Sequence, residues 1–90
     1  MNQKRFQLLR KRADNCIEKL YAIVSNQSDS ASIHKTNTHI WKLLNTIMWV
    51  EDYDGEYISI FHKKVRDLNY LENEIEKAEK YILNLAKELL

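Results

Sequence analysis

A chain with no proline and a single glycine, at position 55, has few means of turning tightly. Sandwiches and barrels reverse direction every eight to twelve residues and draw on residues that tolerate positive φ. That excludes an all-β fold and leaves long helices joined by a small number of turns. The same scarcity excludes glycine-rich phosphate loops and dinucleotide fingerprints, and one cysteine, Cys16, cannot form an internal disulfide. Apolar residues make up 44% and charged residues 30% of the chain, which is folded rather than disordered composition. Ninety residues suffice for one domain, which buries only roughly 60–65% of its unfolded surface.

Hydrophobic spacing supplies the next constraint. Phe6, Leu9, Ala13, Cys16, Leu20 and Ile23 alternate three- and four-residue steps, as one buried helix face requires. Ile17, Tyr21 and Val24 widen that face, so residues 1–25 read as a basic amphipathic core helix. Lys4 and Lys11 share one heptad position outside it, and Arg5, Arg12 and Lys19 share the next, forming a basic stripe. Residues 26–35 read as a polar loop or short helix, with Ser30 or Ser32 able to cap the next helix. Residues 36–48 read as a short amphipathic helix. Ile40, Trp41, Leu43, Leu44, Ile47 and Met48 fall within an arc of about 160°, and Thr38, His39, Lys42, Asn45 and Thr46 fill the other side. Thr36 and Asn37 would point into the core and Trp49 into the polar face, so the pattern predicts a break at each end.

The segment 49–61 mixes aromatic and β-branched residues around Asp54-Gly55, a strong hairpin signal that puts the sole glycine where a type I′ turn needs it. A two-residue turn would pair Tyr53 with Glu56, Asp52 with Tyr57 and Trp49 with Ile60. Two helix ends joined at Asp54-Gly55 are the alternative. Residues 62–90 then read as a long C-terminal helix whose apolar positions are Leu68, Leu71, Ile75, Ala78, Ile82, Leu85 and Leu89. Over residues 66–90 it would be ~37 Å long, against a diameter of roughly 30 Å for a compact domain of this size. Its apolar face therefore predicts a homodimer with coiled-coil-like pairing. The expected fold is mainly α with one small β-hairpin, a winged-helix-like α+β domain.

Catalysis finds little support. Cys16 lies in the apolar heptad of the first helix, where a thiol acts as a small buried hydrophobe. His34 and His39 are five residues apart, not the four that put two ligands on one helix face. The acids at 51–56 lack the alternating ligands of a calcium loop. No enzyme activity, metal or cofactor is expected. The longest apolar run, Ile47 to Val50, falls far short of the ~20 residues of a membrane-spanning helix. No apolar signal core follows the basic N-terminus, so a cytoplasmic location is expected.

Net charge is +1, but its distribution is uneven. Residues 1–25 carry six bases and two acids, 6 − 2 = +4, while residues 51–56 carry four acids and no base, 0 − 4 = −4. The helix from Thr38 through Ile40-Trp41-Lys42 to Glu51, followed by Asp54-Gly55 and Tyr57-Ile58-Ser59-Ile60, resembles the recognition helix and wing of winged helix-turn-helix regulators, over about residues 36–61. The resemblance implies a small dimeric regulator that binds double-stranded DNA. Thr38, His39, Lys42, Asn45 and Thr46 would then face the groove, with phosphate contacts from Lys4, Arg5, Lys11, Arg12 and Lys19. The acidic stretch favours a different class, a non-enzymatic regulator such as an inhibitor, antitoxin or immunity-like adaptor. It would bind one protein partner through Trp49, Asp52, Tyr53, Asp54 and Tyr57.

Overall fold

A computed structural model describes residues 3–52 and 67–88, apart from the side chains of Trp49, Glu51 and Asp52. The described residues form three helices, α1 (Gln3–Ser25), α2 (Ser30–Asp52) and α3 (Leu68–Glu88), and no strand. The winged-helix-like α+β architecture is thereby overturned. Trp49 to Asp52, expected as the first strand of the hairpin, instead continue α2. Residues 53–61, the rest of the expected hairpin, lie outside the described residues.

The direction of each helix follows from its contacts. Arg5 lies 3.7 Å from Glu72 and Arg12 lies 2.7 Å from Glu79. Both pairs advance seven residues in the same sense, so α1 and α3 run parallel. α2 runs against both, returning from the turn at 26–29, with Thr36 and His39 against Tyr81. The core is the set of heptad positions from all three helices: Phe6, Leu9, Ala13, Cys16, Ile17 and Leu20; Ile40, Leu43, Ile47 and Val50; Leu68, Leu71, Ile75 and Ala78. Tyr81 and Ile82 pack on its edge.

This core occupies the apolar face of α3 within one chain. Leu71, Ile75 and Ala78 are fully buried, Leu68 nearly so, and Leu85 is half-buried; Leu89 lies outside the described residues. The 21 residues of α3 span ~31 Å, and α1 and α2, of 23 residues each, match it at ~34 Å. The molecule is elongated, 45 × 25 × 16 Å, so a long helix does not overhang it.

Turns are made without glycine. At the end of α1 the Ala22 carbonyl accepts from both Ser25 Oγ (2.8 Å) and Asn26 Nδ2 (3.0 Å). Asp29 caps α2, its carboxylate accepting from the Ser32 backbone N–H and hydroxyl, both at 3.0 Å. These bonds hold the Asp29 carboxyl below its ordinary pKa. Neither Ser30 nor Ser32 is the cap itself; Ser32 is the third helical residue, on the donating side of the motif. Asp67 does the same for α3, accepting from Asn69 N–H at 2.8 Å.

The break expected at Thr36 is absent, for a specific reason. Its side chain does point into the core and is fully buried, but its hydroxyl lies 3.0 Å from the Ser32 carbonyl one turn back. Gln27 Oε1 is 2.8 Å away and Tyr81 Oη 2.7 Å. With one proton on the hydroxyl, Thr36 donates to one of the two carbonyl oxygens and accepts from the Tyr81 phenol. A buried threonine so partnered does not break a helix. Tyr81→Phe should therefore lower stability by about 1 kcal/mol, and Ile75→Ala, in the fully packed centre, by about 2–5 kcal/mol. Urea unfolding followed by circular dichroism measures both; an unchanged midpoint for Tyr81→Phe would show that the Thr36 bond contributes nothing net.

Candidate nucleic-acid interface

The polar residues expected to face DNA separate into two groups. Thr46 is buried and donates to the Lys42 carbonyl at 2.7 Å, so it belongs to the core side of α2. Thr38 is half-buried and donates to the His34 carbonyl at 2.8 Å, and Asn45 donates to the Trp41 carbonyl at 2.8 Å. These three donors are engaged by their own helix. His39 is half-buried, its ring 4.6 Å from that of Tyr81 and tilted by 30°. Lys42 is exposed.

The apolar arc predicted for α2 is also rotated. Trp41, Leu44 and Met48 are 61%, 45% and 43% exposed, while Thr36 and Thr46 are buried in their place. The rotation follows from hydrogen bonding: a threonine that bonds its own backbone enters the core, and the larger apolar side chains turn outward.

The basic stripe of α1 is likewise divided. Arg5 donates to Asn69 Oδ1 at 2.7 Å and approaches Glu72, and Arg12 is hydrogen-bonded to Glu79, which raises the pKa of its guanidinium. Each of these pairs is about two-fifths exposed, so each contributes at most ~1 kcal/mol. They match the interhelical ion pairs that flank a coiled-coil core and set its orientation. Lys4, Lys11 and Lys19 are exposed.

A more coherent basic surface lies between α2 and α3. Lys35, Thr38, Lys42 and Asn45 step along α2 at intervals of three, four and three residues. Lys77, Lys80, Asn84 and Lys87 repeat those intervals along α3. The five lysines are all exposed. Lys42 and Lys77 both act on His39, from α2 and α3 respectively, which places them on the same side of the bundle. Glu74 is 5% exposed and 3.4 Å from Lys77 Nζ, while Glu76 and Glu88, the sequence neighbours of Lys77 and Lys87 on α3, are exposed. Glu72 and Glu79 point instead toward α1. Lys77 is legible in the sequence as a residue but not as a neighbour of Lys42, because their shared action on His39 depends on the antiparallel packing of α2 and α3.

Cys16 is buried in the core, where desolvation first, then the charge of Glu79, pushes its thiol pKa up. Among the described residues no three of His, Cys, Asp and Glu converge as metal ligands. No described helix is long and apolar enough to cross a membrane. Tyr53, Asp54 and Tyr57, and the side chains of Trp49 and Asp52, lie outside the described residues. Comparison with protein-family models, curated proteins and solved structures finds no match for this chain.

His39 links the site to pH. Burial first, then the charge of Lys42, lowers its pKa below the ordinary value of 6.5; Glu74 raises it less than these lower it, and Lys77 lowers it least. The folded state thus holds a proton there less readily than the unfolded chain. The stabilisation is complete above about pH 6.5 and is lost as pH falls through the lower, folded value. His39→Gln should flatten the dependence of unfolding free energy on pH in that window. An identical pH dependence in the variant would remove His39 as its source.

Proposed function

We propose that this chain is a non-enzymatic helical module that binds duplex DNA through the phosphate backbone, using the α2–α3 face. The observation that carries the reading is the pair of lysine-bearing ladders, Lys35 and Lys42 on one helix and Lys77, Lys80 and Lys87 on the other, around a carboxylate that is itself buried. Lysine is a flexible point charge suited to phosphate oxygens and not to bidentate reading of base edges. The side chains that could read bases, Thr38, Asn45 and Thr46, already donate to carbonyls of α2. Contacts of this composition position a protein on a duplex without specifying a sequence. Arg5 and Arg12 serve the bundle, leaving Lys4, Lys11 and Lys19 as secondary phosphate contacts from α1.

The test is the salt dependence of binding to labelled duplexes of unrelated sequence, measured by fluorescence anisotropy. Four or five neutralised phosphates predict a slope of about −4 in log K against log salt. Affinities for the different sequences should agree within about tenfold, less than the discrimination of specific binders. Replacing both Lys42 and Lys77 by Glu should abolish retention at physiological salt, whereas Arg12→Ala should leave the slope unchanged. The absence of binding at low salt, or binding indifferent to the double reversal, would refute the proposal.

A further inference from the structure

His39 sits in the seam between α2 and α3. Its ring lies 4.6 Å from that of Tyr81, and the Tyr81 hydroxyl is 2.7 Å from Thr36 Oγ1, one turn before His39 on α2. The half-buried imidazole is thus held against α3 by a ring whose far end is bonded to the histidine's own helix. From that position it meets charge from both helices. Lys42 follows it by three residues on α2, and Lys77 precedes Tyr81 by four on α3, each one turn along the same face. The charged groups that act on the ring are Lys42 of α2 and the buried Glu74 and exposed Lys77 of α3. Exposed Lys35 lies one turn earlier on α2, and Tyr81 is the titratable group in contact.

We propose that phosphate binding at Lys42 and Lys77 is coupled to uptake of a proton by His39, so that DNA is held more tightly in mildly acidic than in mildly basic solution. The coupling rests on the DNA-binding reading and adds regulation to the same surface. Two cations beside a half-buried imidazole oppose a third positive charge, and Glu74, 3.4 Å from Lys77, offsets them only in part. Phosphates that neutralise the lysines remove that opposition. The protonated ring needs no repacking, since a cation within ~6 Å of an aromatic centroid is attracted to its face, and Tyr81 is already in place. Once charged, His39 adds a cation to those of Lys42 and Lys77. Phosphate and proton therefore favour each other, each raising the affinity for the other by the same factor. The free chain holds this proton only below a value under 6.5, and the bound chain holds it at higher pH. Affinity accordingly rises as pH falls through the bound-state value and levels off below the free-state one. His34 lies five residues earlier, about 140° round the helix, and is exposed, so it is a control for histidines outside the seam.

Fluorescence anisotropy with a labelled duplex at constant low salt tests the coupling between about pH 8 and about pH 5.5, over the range in which circular dichroism shows the helices intact. Affinity of the full chain should rise about fivefold or more as pH falls, the low end of ordinary coupling between sites. His39→Gln should abolish the rise, and His34→Gln should keep it. Nuclear magnetic resonance of the His39 ring should show it titrating at a higher pH in the complex than in the free chain. Binding of equal strength at both ends of the range, or a rise that His39→Gln retains, overturns the coupling and leaves the DNA-binding reading standing. Absence of binding at every pH overturns both.

Discussion

The apolar face of α3 is covered from two sides by its own chain, and much of the rest depends on that. Because α1 lies parallel to α3 on one flank, Arg5 and Arg12 meet Asn69, Glu72 and Glu79 and are held by the bundle. Because α2 lies antiparallel on the other flank, Lys42 and Lys77 come to act on the same residue, His39. A helix with this heptad pattern, considered alone, calls for a second copy. Two neighbours of equal length within the chain supply the same burial at far lower entropic cost, since the helices are already tethered.

Helix α2 shows how polar side chains enter such a bundle. Thr38, Asn45 and Thr46 each donate to the carbonyl four residues back, and the Thr36 hydroxyl lies within hydrogen-bond reach of the Ser32 carbonyl and of Gln27 Oε1. A hydroxyl satisfied in this way carries no unpaired donor into the protein, so desolvation costs little beyond the bond it keeps. Small threonines can therefore occupy core positions where α2 meets its neighbours, and the bulky Trp41, Leu44 and Met48 are turned to the outside. The same bonds engage the hydroxyl protons of Thr38 and Thr46 and one of the two amide protons of Asn45.

The sequence is legible where a single rule governs the outcome. The three-four spacing in α1 and α3 identifies Phe6 to Leu20 and Leu68 to Ala78, and these residues form the core. It misleads at Thr36 and Trp49, because a polar side chain need not be exposed and an interruption of the pattern need not be a helix end; α2 runs through both. The turn chemistry at 49–52 is a local signal overridden by helix continuity, while Asp54-Gly55 falls outside the described residues. The candidate surface is half visible. Thr38, His39, Lys42 and Asn45 share one helix face by periodicity, but Lys77 joins Lys42 beside His39 only through the antiparallel packing of α2 against α3, which no periodicity within one helix reveals.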